Sequence, residues 1–185
     1  TAWQWTWFVP HDVDGLVELM GGRDAFIGKL DSLFTADSKL EGESTSVDIS
    51  GLIGQYAHGN EPSHHIAHLY NYVGQPWRTQ EIVDEVLHTL YFNNPDGLSG
   101  NEDCGQMSAW YILNAMGFYQ VCPGKPVYSI GRPLFNEATV HLKDGKSFKV
   151  IAHNNSRDNK YVRSIVLNGN KLETPFFTHQ DIVDG

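Results

Sequence analysis

Hydrophobic periodicity changes once along this 185-residue chain, at Pro123, and that change limits the folds open to it. Before it, apolar residues recur every three or four positions; after it, short β-rich runs are separated by turn signals. The spacing predicts a short helix over residues 15–20, capped by Asp12 or Asp14 and interrupted by Gly21 and Gly22. A second helix is expected over 23–34, with Phe26, Ile27, Leu30 and Leu33 on its apolar face. Pro62 suits a first helical turn, so a third helix should carry Ile66, Leu69, Tyr70 and Val73 as far as Gly74. Thr79 is expected to cap a fourth, ahead of Ile82, Val83, Val86, Leu87 and Leu90. Residues 1–10 alternate Trp3, Trp5 and Trp7 with Gln4 and Thr6, which fits a strand by period or a helix end closed by Pro10. Residues 35–50, with Asp37, Glu41, Glu43 and Asp48, read as an acidic surface loop. Beyond Pro123, strands are expected over 127–130, 138–142, 147–152 and 161–168, with hairpin signals at Asp144-Gly145 and Asn168-Gly169. The expected fold class is mainly α with a small antiparallel β-sheet: a helical portion over 1–122 and a β segment over 123–185 packed on it.

Within the helical part, SGNEDCGQMSAWYILNAMGFY (99–119) concentrates polar chemistry at the mouth of an apolar helix. Asp103 and Gln106 have capping-box spacing, and Gly117 can end the helix in a left-handed turn. Asn101, Glu102 and Asp103 then sit at the lip of the scaffold, where short polar side chains can reach a cation or a sugar. Asp103 is a cap, a site residue or both; a carboxylate at a helix N-terminus stays ionised in either role.

Composition removes several classes of function. A formal charge of -9 with no Lys/Arg cluster argues against nucleic acid. No apolar run approaches the length of a membrane span, and the N-terminus lacks the regions of a signal peptide. Two cysteines, Cys104 and Cys122, are too few for a disulfide framework, and a thiol pair or a single bridge are both open. There is no GxSxG elbow, GxGxxG fingerprint or Walker loop, which lowers serine hydrolysis and nucleotide chemistry.

A second polar cluster holds His58, Asn60, Glu61, Ser63, His64, His65 and His68. His64 and His68 are four apart and would share a helix face, but a zincin needs Glu directly after its first His, where His65 stands. Oxygen ligands from Asn60, Glu61 and Asp103 suit Ca²⁺ instead, in a site assembled from distant segments because no EF-hand loop is present. Carboxylates beside Trp and His in an acidic helical array fit carbohydrate chemistry.

The strings AWQWTWFVPHDVDGLVELMGG, GNEPSHHIAHLYNYVGQPW, PDGLSGNEDCGQMSAWYILNAMGFY and VYSIGRPLFNEATVHL, in this order, closely resemble the catalytic module of glycoside hydrolase family 92, the calcium-dependent exo-acting α-mannosidases. The resemblance implies inverting removal of terminal α-mannose, often α-1,2-linked, from a mannose-containing glycan. It also implies an (α/α)6 toroid, here partial and followed by C-terminal strands, packed against an N-terminal β-sandwich domain. On the matching positions Asp103 falls on the general base, and Asn101 on a position that is Asp in some members. Asn60 and Glu61, with Asp103, fall on the segments expected to hold Ca²⁺. Trp3, Trp5, His11, Asp12 and His64 fall on the lining of the sugar pocket. The family's general acid is a Glu just before the AWQW string, ahead of Thr1, so the isolated chain is expected to be inactive. The end, HQDIVDG, is expected to stop short of the last family strand. A non-catalytic, calcium-dependent mannose-binding module is the alternative. The resemblance further suggests a bacterial periplasmic or secreted protein, and open apolar faces suggest self-association of the piece.

Overall fold

The computed structural model describes residues 1–40, 46 and 48–185. Among these, α1 (Ala2–Trp5), α2 (Val13–Leu19) and α3 (Arg23–Thr35) come first, followed by the two-residue strands β1 (Leu52–Ile53) and β2 (Tyr56–Ala57). The helices α4 (Leu69–Tyr72), α5 (Pro76–Thr89) and α6 (Gln106–Met116) lead to β3 (Phe118–Tyr119). The C-terminal part is β4 (Val127–Ile130), β5 (Glu137–His141), β6 (Ser147–Ile151), β7 (Ile165–Leu167), β8 (Asn170–Leu172), β9 (Phe176–Thr178) and α7 (His179–Asp184). The acidic stretch around Glu41 and Glu43 lies outside the described residues.

Helix starts and stops account for much of this order. Asp12 caps α2, its carboxylate accepting the Gly15 N–H at 3.0 Å. Residues 1–10 resolve as the short helix α1, with Thr1 and Gln4 forming a capping box. Residues 61–74 are not one helix: two 3-10 turns, Glu61–Ser63 and Ile66–His68, precede α4. His64 and His65 fall between the turns with both rings buried. Thr79 caps nothing. The helix begins at Pro76, and the buried Thr79 hydroxyl donates to the Ala67 carbonyl at 2.8 Å, tying α5 to the broken segment.

Among the described residues the β part is three small antiparallel sheets, where one was expected, and a fourth, β1–β2, lies within the helical part. Hairpins β5–β6 and β7–β8 form at the two predicted turns, with Asp144, Gly145, Asn168 and Gly169 all at positive φ, as tight hairpin turns require. A third sheet, ordered β3-β4-β9, reaches back into the helical part through β3. Successive strand residues point to opposite faces, so Tyr119 joins the helical core while Phe118 joins Phe148, Phe177 and Ile182 under the hairpins. The larger core gathers Trp7, Phe26, Leu30, Leu33, Tyr56, Tyr70 and Trp110, all fully buried. HQDIVDG forms α7, with Thr178 and Asp181 in a capping box.

Candidate active site

α6 starts later than its sequence suggests. Asp103, Cys104 and Gly105 have φ of 51°, 56° and 91°, three left-handed residues in a row, and the N-cap is Gly105 with no side-chain cap. The capping-box reading of Asp103 and Gln106 is therefore overturned. Glu102 serves the helix end instead, its carboxylate accepting the Ser108 N–H and the Ser108 hydroxyl, each at 3.0 Å. Left-handed geometry disfavours side chains with a Cβ by about 1–2 kcal/mol per residue, and such strain gathers where a side chain must be held in a particular direction. Here it leaves the Asp103 carboxylate exposed and free of helix duty.

That carboxylate meets Glu61. A side-chain hydrogen bond with Glu61 is the main reason the Asp103 carboxyl sits above the usual carboxylate range, and the charges of Glu61 and Asp48 push the same way. The Asn101 amide donates to Asp48 at 3.3 Å, bringing a third carboxylate to the group across 53 residues of sequence. Backbone contact sets the approach of the two loops: a Cβ on Gly100, whose φ is +73°, would lie 2.9 Å from the Gly59 carbonyl oxygen. Gly100→Ala should therefore lower the thermal midpoint, by about 1–3 kcal/mol of stability, and weaken any ligand held jointly by Glu61 and Asp103. Unchanged melting and binding would show that the loops do not depend on this approach.

Below the carboxylates lies a row of buried imidazoles. A carbonyl can only accept, so His64 carries its proton on Nε2 and donates it to the His58 carbonyl at 2.9 Å. Its Nδ1 accepts the Gln106 amide N–H at 3.0 Å, and its own carbonyl accepts the Trp110 indole N–H at 2.9 Å. Burial pushes the His64 imidazole down to about 4, against the opposing pull of the His58 hydrogen bond and Asp103. Tyr91 gives its hydroxyl proton to the Met107 carbonyl (3.0 Å), so it accepts from His58 Nε2 (2.7 Å) and leaves Nδ1 to Tyr56 (2.8 Å). His68 is held between Ser129 (3.0 Å) and Asn114 (2.8 Å), again lowered to about 4 by burial. His65 donates to the Trp7 carbonyl at 2.7 Å.

The structure thus brings Glu61, Asp103, His64 and, through Asp48, Asn101 to one place, with Asn60 beside Glu61 at the head of the same turn. The other residues singled out from the sequence stand elsewhere. Trp3 lies under the Lys29 ammonium of α3 at 5.6 Å. Trp5 is 59% exposed and packs edge-on against Phe8, whose ring in turn faces His65. His11 is exposed, and its carbonyl accepts from Lys125. The Asp12 carboxylate is engaged in capping α2. Asp48 and Gln106 acquire roles that no local pattern marks, because each depends on a partner brought in by the fold, whereas Glu102 turns to Ser108 six residues on.

A family model described as the glycosyl hydrolase family 92 catalytic domain matches residues 1–185. The chain belongs to glycosyl hydrolase family 92. Two solved family 92 proteins from Bacteroides thetaiotaomicron share its fold. The first is the alpha-mannosidase BT3965: 45% identity and a TM-score of 0.89 over 99% of this chain and 24% of that one. The second is the inverting mannosidase BT2199: 44% identity and a TM-score of 0.85 over 100% and 26%. A curated relative from Arthroderma benhamiae, described as an uncharacterized secreted glycosidase, is 29% identical over 99% of this chain and 22% of its own length. This stretch of a family 92 catalytic domain therefore spans about a quarter of the solved proteins it matches. None of its helices among the described residues is long and apolar enough to cross a membrane.

Proposed function

We propose that this chain supplies the general-base half of an inverting, calcium-assisted α-mannosidase acting on terminal α-mannosides, α-1,2-linked ones foremost. The observation that carries the reading is the Glu61–Asp103 pair at the strained entrance to α6, in a chain that belongs to family 92. The neighbouring Glu61 and Asp48 raise the Asp103 carboxyl, and such crowding of like charges favours a proton or a cation among them. The oxygen-only donor set of Asn60, Glu61 and Asp103 fits Ca²⁺, and these residues would hold it. Bound there, the ion would supply positive charge to the 2- and 3-hydroxyls of mannose and favour a distorted, oxocarbenium-like ring.

The chain's own residues do the rest. Asp103 takes a proton from the water that attacks the anomeric carbon, from the face opposite the leaving oxygen. His64 stays neutral beside it and adds no competing positive charge. The chain spans about a quarter of the solved family 92 proteins it matches, so hydrolysis is assigned to a family-length enzyme, on an (α/α)6 toroid of which these helices form part. Secretion, as described for the fungal relative, is the compartment this reading favours.

Proton NMR of the products from an α-1,2-mannobiose, hydrolysed by a family-length enzyme carrying this sequence, tests the assignment. The β-anomer of mannose should appear first, and a chelator should abolish turnover. An α-anomer formed first, or turnover indifferent to chelation, would overturn it. Mannose binding without hydrolysis would leave the binding-module alternative standing.

A further inference from the structure

The carboxylates of the candidate site sit on two segments far apart in sequence, and α6 holds those segments together by two grips on one residue. Gln106 and Trp110 are four apart and so share a face of the helix. Trp110 grips the His64 backbone, its indole N–H donating to the carbonyl at 2.9 Å. Gln106 grips the His64 side chain at 3.0 Å and spends its second amide hydrogen on the Tyr119 hydroxyl at 3.1 Å. His64 lies three residues after Glu61, while Gln106 lies three residues after Asp103. The far nitrogen of the imidazole is fixed by the His58 carbonyl, so the ring is a rigid strut between the 58–64 segment and the start of α6.

We propose that Gln106 is a positioning residue: its amide, bonded to Nδ1 opposite the His58 carbonyl on Nε2, locks the neutral His64 ring in place and thereby holds Glu61 against Asp103. The inference rests on the cation-site reading above but assigns a role that reading does not need. Gln106 touches neither carboxylate in the structure. Its effect on them runs through the His64 ring, in the way residues behind metal ligands set ligand orientation. The contact with Tyr119 is accessory, since it anchors the amide to β3 and leaves the His64 bond in place.

The test compares the wild-type chain with Gln106→Met, which keeps length but donates nothing, Gln106→Glu, which keeps polarity and size, and Tyr119→Phe. Imidazole ¹⁵N spectra report the lock directly, and calcium calorimetry reports its consequence. In Gln106→Met the His64 Nδ1 resonance should move downfield to that of an unbonded acceptor, with calcium affinity falling about 10- to 100-fold. In Gln106→Glu the carboxylate should draw a proton onto Nδ1 and give an imidazolium pattern. Tyr119→Phe should leave the His64 tautomer as it is and change affinity less than threefold. Should Gln106→Met fail to fold, Gln106→Glu carries the spectroscopic comparison alone. An unchanged Nδ1 resonance overturns the lock, and a shifted resonance with unchanged calcium affinity overturns the positioning role. A wild-type chain that shows the Nε2–H pattern but no calcium heat sinks the cation reading and leaves the lock standing.

Discussion

Lowering the pH from 7 to 5 should strip about 4 kcal/mol from the stability of this fold, mainly through His64 and His68. Both imidazoles are held near 4 by burial, well below the ordinary histidine value of 6.5. The unfolded chain then binds more protons than the folded one throughout that interval. Stability is fully present above about pH 6.5 and is lost as pH falls towards 4. Each residue contributes about 2 kcal/mol at pH 5. His58 and His65, lowered by the same burial, add in the same direction. Urea unfolding at the two pH values measures the drop. His68→Gln should cost stability at pH 7, since the shorter amide cannot keep both the bond to the Asn114 Oδ1 and the bond to the Ser129 hydroxyl, yet it should shallow the pH dependence by about 2 kcal/mol. A flat pH profile, or a variant with the wild-type slope, would mean that these imidazoles are not held neutral inside.

Asp103→Asn should separate chemistry from fold. Asn tolerates the left-handed backbone at φ 51° as readily as Asp, so the turn into α6 survives. The amide cannot accept the proton of an attacking water, and kcat in a family-length enzyme should fall about 10³-fold, the scale of a lost general base. Melting should not suffer, because the substitution removes one of two carboxylates that repel each other. Activity within threefold of wild type would transfer the base role elsewhere, and collapse of the fold would make Asp103 a structural residue.

How far the sequence could be read depended on the range of the interaction involved. Local chemistry was legible: Asp12 caps α2, and the Asp144-Gly145 and Asn168-Gly169 pairs make the hairpin turns their left-handed tolerance predicts. Roles set by distant partners were not. Thr79 has every feature of a cap, yet its hydroxyl is drawn to Ala67 by the packing of α5 on a broken segment. Gln106 stands at capping spacing from Asp103, but the three left-handed residues before α6 turn it towards His64. The same turn is invisible to pattern reading, because a run of three left-handed residues that includes a Cys has no local signal. Ligand chemistry and motif resemblance both brought out Glu61 and Asp103 together, and backbone proximity at Gly59 and Gly100 supplies the physical reason they meet. Asp48, in a stretch that reads as solvated loop, joins them through Asn101.

Calorimetric titration of Ca²⁺ into the wild-type chain and into Glu61→Gln, repeated at pH 5 and pH 7, bears most directly on the central claim that Glu61 and Asp103 form a single cation-requiring pair. Wild type should bind one ion, and no more tightly at pH 5 than at pH 7, because protons compete with a cation for carboxylate oxygens. Glu61→Gln should lose most of that affinity while melting no lower than wild type in the absence of calcium. Equal calcium binding by the two proteins, or none by wild type at either pH, would contradict the account.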